Sequence, residues 1–366
     1  MTKNKTVVAA LNPDIFSQAQ TEIDTEKVKN TIWHGSLQDM SVGGITTFNA
    51  YISNMMTVEK KVKTGIKELD KILGGGYCIG LTMVGGVPNA GKTTMLVQSA
   101  VEMSRQGINS VFISYDMRGY ALMDKVYSRI SYLLYQKEGY SLQDLNKKKL
   151  LEDNEKNKRI IEEVIKVTQN FSIVDMLQTT AFDSFAGGLL EVDGYDDIEK
   201  VIRIYADTYQ NPVFFIDNLQ QMSGYLGYDG KSGIDKTLRL LKKYSSVYNV
   251  AIVIISTLGR ASYNKDLGLE AFKESGNIDY DTDAAFVIQP KFIGEDEKMT
   301  IDDFREQNER DVAIKAIKGR DFGFQKSFIT LNAPYCTFEL YDPDEQGGKE
   351  DNKSKIKESK NRVLLD

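Results

Sequence analysis

The segment that most constrains this chain is Gly86-Val-Pro-Asn-Ala-Gly91-Lys92-Thr93, which fits the pattern G-x-x-x-x-G-K-[ST]. At ordinary glycine usage a match of this kind arises by chance in about one chain in a hundred of this length. The flanks argue against chance. The apolar run LTMVG leads in, and the helical stretch TTMLVQSAVEMSRQG leads out. That is the strand–loop–helix setting in which the motif works. Its spacing has a physical basis. The glycines let successive backbone N–H groups turn inward around a β-phosphate, and the start of the helix adds the positive end of its dipole. Lys92 reaches toward the β- and γ-phosphates, and Thr93 offers a hydroxyl to Mg²⁺. Gly86, Asn89, Ala90, Gly91, Lys92, Thr93 and Thr94 are therefore the expected binding residues, with ATP and Mg²⁺ as the ligands.

A loop of this type sits on a parallel sheet, and the rest of the chain has the matching pattern. Short runs rich in Val, Ile and Phe occur at Leu81–Gly85, Ser110–Tyr115, Phe171–Val174, Val213–Asp217, Ala251–Ser256 and Ala284–Ile288. They do not alternate with polar residues, as expected of strands covered on both faces. Helical patterns separate them, over Thr93–Gln106, Tyr120–Tyr135, Leu145–Thr168, Asp197–Tyr209 and Ile234–Tyr248. Alternation of this kind predicts βαβ units with right-handed crossovers. Three further strands, Val312–Lys318, Ser327–Leu331 and Thr337–Tyr341, follow without helices and are expected as antiparallel additions at one side of the sheet. The polar, acidic tract 291–308 between the two groups is expected to be a surface loop. The fold class is thus α/β, with a mostly parallel central sheet flanked by helices.

Asp217 ends the apolar run PVFFID. A carboxylate at the carboxyl end of a strand lies beside the phosphate loop when the two strands are neighbours. This makes Asp217 the expected partner of Thr93 at the metal, in the manner of a Walker B aspartate.

Composition narrows the chemistry further. The chain has 366 residues, of which 1–60 read as an arm or short extension, 61–341 as the ATPase unit, and 342–366 as a charged, disordered tail. A single histidine, His34, excludes any mechanism needing two within one chain, and it is expected to have a packing or surface role. Two cysteines, Cys78 and Cys336, are too few for a disulfide framework, which suits a reducing cytoplasm. No run approaches the roughly 18 apolar residues of a membrane span. A net charge of −6 argues against nonspecific coating of nucleic acid, but it leaves room for local basic loops.

The ordered set of motifs resembles the motor domain of DnaB-type hexameric replicative helicases, within the RecA-like ATPases. TGIKELDKILGGG precedes the phosphate loop. VFISYDM is similar to the family's strand with the catalytic carboxylate, and FFIDNLQQM to its Walker B strand. IISTLGRAS resembles the sensor strand, FKESGNIDYDTDAAFVI the Glu-Ser-Gly segment, IKGRDFG the Lys-x-Arg hairpin and NAPYCTFE the last strand. The resemblance spans about three quarters of the chain, without the family's globular N-terminal domain. It implies a homo-oligomer, a ring of six in the family's manner, with ATP between subunits. Lys92, Thr93 and Asp217 would come from one subunit, and Lys318 and Arg320 from the next as trans-acting fingers.

Two positions depart from the family's pattern. The family's water-activating glutamate falls at Asp116, one methylene shorter, and its glutamine after the sensor-strand serine falls at Thr257. The shorter carboxylate implies slower hydrolysis, and the threonine can still hydrogen-bond but reaches less far toward a γ-phosphate. Single-stranded DNA is the expected partner, through loops at 224–233 and 260–270. These carry Lys231, Arg260 and Lys265 interleaved with Tyr225, Tyr228 and Tyr263. A protein partner from a replication or mobile-element module is a further expectation. The leading function is an ATP-driven, helicase-like motor on single-stranded DNA. The alternatives are an ATPase switch or assembly factor that does not unwind, and a filament-forming recombinase.

Overall fold

The computed structural model describes residues 61–146, 154–177, 180–183, 188–191, 195–228, 230–272, 278–293, 299–319 and 323–341. The expectations for 1–60, for 342–366, for the Glu-Ser-Gly segment at 274–276 and for Arg320 lie outside the described residues.

The chain opens with β1 (Lys61–Val62), α1 (Lys67–Ile72), β2 (Tyr77–Cys78) and β3 (Gly80–Gly86), then α2 (Lys92–Arg105), β4 (Ser110–Ser114) and α3 (Gly119–Tyr135). Next come α4 (Leu142–Asn146), α5 (Glu155–Val167), β5 (Phe171–Asp175), β6 (Thr180–Asp183), β7 (Gly188–Glu191) and α6 (Tyr195–Thr208). Then follow β8 (Val213–Asp217), α7 (Leu219–Tyr225), α8 (Gly230–Val247), β9 (Ala251–Ile255) and α9 (Ile278–Asp281). The described chain ends with β10 (Ala284–Pro290), α10 (Ile301–Glu306), β11 (Glu309–Gly319), β12 (Lys326–Asn332) and β13 (Thr337–Leu340).

Among the described residues nine strands form the main sheet, in the order β13-β12-β11-β10-β3-β9-β8-β4-β5. From β10 to β5 every pairing is parallel. The β10–β11, β11–β12 and β12–β13 pairings are antiparallel. This is the expected architecture, with the antiparallel strands gathered at one side. The non-alternating apolar runs are explained by burial: every residue of β3, β4, β8, β9 and β10 is buried. Phe112 and Phe215 stack 6.3 Å apart in the core, and Tyr77 meets Phe215 edge-on at 5.8 Å. Each buried aromatic side chain of this size adds to the hydrophobic stabilisation of a largely aliphatic core.

Three expectations need correction. The single helix expected over Leu145–Thr168 is two helices, because Asn154 starts a new one. Its side chain accepts from Asn157 N, as an N-cap does. The tract 291–308 is not a plain loop. It contains α10, started by a capping box between Thr300 and Asp303, with Ile301 and Phe304 turned into the core. Apolar residues here are sparse but one helical turn apart, so an acidic surround hid them. The 224–233 loop is also shorter than expected, because α7 runs to Tyr225 and α8 begins at Gly230. Lys231 therefore lies in the first turn of a helix.

Candidate functional site

Parallel strands present their carboxyl ends along one edge of a sheet, and the site is built there. β3 delivers the loop 87–91, and α2 leaves from it. Two left-handed residues shape the loop, Asn89 at φ +63° and Gly91 at φ +91°. Asn tolerates this conformation better than most residues. Gly91 has a second constraint, since a Cβ there would lie 2.6 Å from Phe338 Cζ and 2.9 Å from Leu331 Cδ2. The strands β12 and β13 thus press on the loop from behind, and no side chain fits at position 91. The first N–H groups of α2 have no acceptor within the helix and point out of its start.

Lys92 and Thr93 follow at once. Lys92 Nζ donates to Gly86 O at 2.8 Å and to Val87 O at 3.1 Å, folded back over the loop. Burial lowers its ammonium to about 8, against the opposing pull of Asp217. Thr93 Oγ1 donates to Asp217 Oδ2 at 2.6 Å across 124 residues of sequence. Asp217 is buried, and burial raises its carboxyl above the ordinary range. The charge of Asp116 adds to the rise, while Thr93, Lys92 and Lys125 oppose it.

The sheet order alters one detail of the sequence argument. β8, which carries Asp217, is not next to β3. β9 stands between them. Asp217 nevertheless meets Thr93, whose hydroxyl reaches it at 2.6 Å from the start of α2. β9 supplies what lies in the gap, Ser256 and Thr257.

Asp116 follows β4, two residues past the pair Ser114↔Asp217. Ser114 makes a tight turn there, accepting from Met117 N at 3.1 Å and donating to Met117 O at 2.6 Å. Tyr115 N donates to Asp217 O at 2.7 Å. Asp116 is left exposed beside Asp217. Thr257 is exposed as well. Its backbone N–H donates to Gln220 Oε1 at 3.1 Å, while Gln220 Nε2 donates to Ser256 Oγ at 3.2 Å. The Thr94 side chain is buried, and its hydroxyl accepts from Lys125 Nζ at 3.4 Å.

The structure separates Lys318 from this cluster. Lys318 pairs with Ala285, which pairs with Met83, at the amino end of the parallel strands. Gly86 lies three residues further along β3, about 10 Å at the usual rise of a strand. Lys318 Nζ donates to Thr282 O at 2.5 Å and to Thr282 Oγ1 at 3.3 Å, on the far edge from its own phosphate loop. Lys231, Arg260 and Lys265 are all exposed. Arg260 sits in a short 3₁₀ turn, Arg260–Ser262, while Tyr263 packs partly on the core and Tyr228 lies under Lys236. Tyr228 and Tyr263 are therefore less available for stacking than the sequence implied, whereas Tyr225 is exposed.

Arg310, on β11, was not expected at the site. Its Nη1 donates to Asn89 O at 2.9 Å, its Nε to Gln307 O at 2.8 Å and its Nη2 to Arg305 O at 2.6 Å. It clamps the left-handed tip of the phosphate loop to the end of α10. No local pattern marks it, because the contact spans 221 residues.

The residues present fit a nucleotide and its divalent ion. A glycine-shaped loop carries the lysine, and a threonine hydroxyl and a buried carboxylate meet on one side of it. Residues 61–338 match the family described as the DnaB-like helicase C-terminal domain. A short segment matches DNA repair proteins RadA, at 40% identity over 55 residues in Brucella abortus (strain 2308) and 39% over 57 residues in Listeria monocytogenes. Each match covers 15% of this chain and 12% of that relative, so the chain spans only a small part of their length. Two solved structures share the fold at TM-score 0.60 and 16% identity. One is an ATPase domain, matched over 86% of this chain and 99% of that one. The other is a DnaB-like replicative helicase, described with its interactions with primase, matched over 93% and 77%.

Proposed function

The chain belongs to the family of DnaB-like helicase C-terminal domains, and on that premise we propose that it is an ATP-driven motor that moves along single-stranded DNA as a ring of like subunits. The observation that carries the proposal is the 2.6 Å bond from Thr93 Oγ1 to Asp217 beside Lys92. It joins the loop that holds phosphates to the carboxylate that would hold the metal. Thr93 and Asp217 would hold Mg²⁺, which when bound neutralises phosphate charge. Lys92 would turn from the carbonyls of Gly86 and Val87 toward the β- and γ-phosphates. Asp116, exposed at the end of the neighbouring strand, would take the proton of the attacking water.

The placement of Lys318 supports hydrolysis between subunits. It stands at the edge of the sheet opposite its own loop, where a neighbour's site could receive it once it leaves Thr282. Lys318 and Arg320 would then stabilise transition-state charge in trans. Arg260 and Lys265 on one segment and Lys231 on another would meet the DNA backbone. Cytoplasmic location, a six-membered ring and a protein partner from a replication module belong to the same reading.

The test is steady-state ATP hydrolysis by the full chain, of known oligomeric state, with and without single-stranded DNA. Stimulation is expected. An assembled ring whose slow turnover ignores DNA would overturn the motor and leave the second reading, an ATP-controlled switch. That reading draws on Asp116, shorter than the family's glutamate, and on Thr257, which offers the site only a short side chain. For the trans assignment, Arg320→Ala should bind nucleotide without hydrolysing it, and mixing it with Lys92→Ala should recover part of the activity. No recovery in mixed rings would sink the assignment.

A further inference from the structure

Gln220 occupies a position that neither the phosphate chemistry nor the DNA loops explain alone. It lies on α7, three residues past Asp217. The orientation of its amide is fixed, because the backbone N–H of Thr257 can only donate. Oε1 therefore faces Thr257 N at 3.1 Å, which turns Nε2 onto Ser256 Oγ at 3.2 Å. Ser256 is buried, and its hydroxyl passes its own proton to Thr257 O at 3.3 Å. One side chain thus ties the start of α7 to the residues at which β9 ends.

Both tied elements lead to candidate DNA contacts. α7 runs from Leu219, two residues past Asp217, to Tyr225, and beyond it lie Tyr228 and Lys231. The segment after Thr257 carries Arg260 and Lys265. That segment is closed at its base by Gly259 N donating to Ala271 O at 3.3 Å. Its two ends, Leu258 and Phe272, press on Gly85 so closely that a Cβ there would lie 2.3 Å from Phe272 Cζ and 3.0 Å from Leu258 Cδ2. Gly85 immediately precedes the phosphate loop. The base of the segment therefore touches the nucleotide strand on one side and is hydrogen-bonded to the Walker B helix on the other.

The geometry points to Gln220 as the positioning residue that couples the nucleotide site to the DNA-facing segments. It works through the backbone of Thr257 and the hydroxyl of Ser256, at the place where the family pattern has a glutamine and this chain has threonine. This rests on the motor reading proposed above. A shift of Asp217 with the state of the nucleotide moves the start of α7. Gln220 passes that displacement to Thr257 and so to Arg260 and Lys265. Two neutral hydrogen bonds carry the link, so its loss weakens coupling without removing the phosphate-binding groups.

The experiment uses the full chain with three variants: Gln220→Leu, which keeps the volume and removes the bonds to Thr257 N and Ser256 Oγ, Ser256→Ala, which removes the second of these, and Gln220→Glu, which keeps an acceptor for Thr257 N. The readout is the ratio of ATP hydrolysis with oligothymidylate to hydrolysis without it. Gln220→Leu should lower this ratio about tenfold, and Ser256→Ala about threefold. Gln220→Glu should fall between wild type and Gln220→Leu. A Gln220→Leu ratio equal to wild type would overturn the inference, as would an equal fall in both rates, which is the mark of a merely structural role. If the wild-type protein is not stimulated by DNA, the motor reading fails on its own. The coupling is then decided by hydrogen exchange of the amides in 258–272 with and without a non-hydrolysable ATP analogue. A nucleotide-induced change in wild type that is lost in Gln220→Leu sustains the coupling. The same change in both, or none in wild type, overturns it.

Discussion

The two edges of the central sheet use the same residue types and do opposite things with them. At the amino edge, Asp283 accepts from Leu81 N at 2.9 Å and pairs with Lys242. These contacts fasten the start of β10 to the start of β3 and to α8. At the carboxyl edge, Lys92 and Asp217 are gathered beside Thr93 where burial works against them. The Asp217 carboxyl is raised and the Lys92 ammonium lowered, both mainly by desolvation. One edge spends its polar groups on holding strands together, and the other holds charged groups at some cost to stability. Perturbed groups at the mouth of a parallel sheet are the mark of a working site.

The largest effect expected from breaking this contrast is on hydrolysis. Lys92→Ala should cut ATP turnover by about 10²–10³-fold. Its urea midpoint should be unchanged or raised, since a partly buried ammonium is gone. A loss of stability as large as that of an amino-edge variant would erase the distinction. The counterpart is Asp283→Ala, which strands Lys242 and the Leu81 N–H. It should destabilise the protein by about 2–4 kcal/mol in urea unfolding, with nucleotide affinity of the folded fraction retained. Reduced affinity at full folding would mean that the two edges are not separate in function.

Arg310→Ala should have an intermediate effect. Losing the clamp on Asn89 O frees the loop tip, so affinity for a fluorescent ATP analogue should drop about tenfold. Binding at wild-type strength would show that β12 and β13, through Gly91, hold the loop unaided. The smallest effect is on pH dependence. Lys92 must carry its charge to meet phosphate, and the phosphates would raise its value again on binding. Affinity should therefore be level below pH 8 and fall as pH rises through about 8. The slope should be at most about tenfold per pH unit. Calorimetry in buffers of different ionisation heat should find proton uptake on binding near pH 9. Absence of uptake would reassign the titrating group. The folding contribution has the opposite sense: with its value depressed in the fold, the charged form of Lys92 costs stability at and below pH 8.

The sequence made the carboxyl edge easier to read than its surroundings. Gly86 to Thr93 is a local pattern, because backbone turning and helix start must occur within eight residues to surround one phosphate. Asp217 was legible because its apolar run ends abruptly in a carboxylate. The buried strands were legible because burial on both faces removes alternation. α10 was missed because only Ile301 and Phe304 mark it in an acidic tract. The break at Asn154 was missed because helical periodicity resumes beyond it, even though Asn is a good N-cap. Lys231 falls within the loop expected over 224–233, whereas Gly230 and Gly233 are both accommodated in α8.

What the sequence determined by itself is the chemistry of short segments: a phosphate loop, a strand-terminal carboxylate, a set of doubly buried strands and the family they compose. Each depends on residues close together in the chain, where steric and hydrogen-bonding rules act directly. Only the tertiary structure decided that β9 stands between the two halves of the metal site, and that Lys318 faces away from its own loop. It also decided that Arg310 holds Asn89 and that Gln220 reaches Ser256 and Thr257. Those facts depend on strand order and register, which are fixed by packing the whole sheet at once. A side chain's partner across 221 residues leaves no local trace in composition or period.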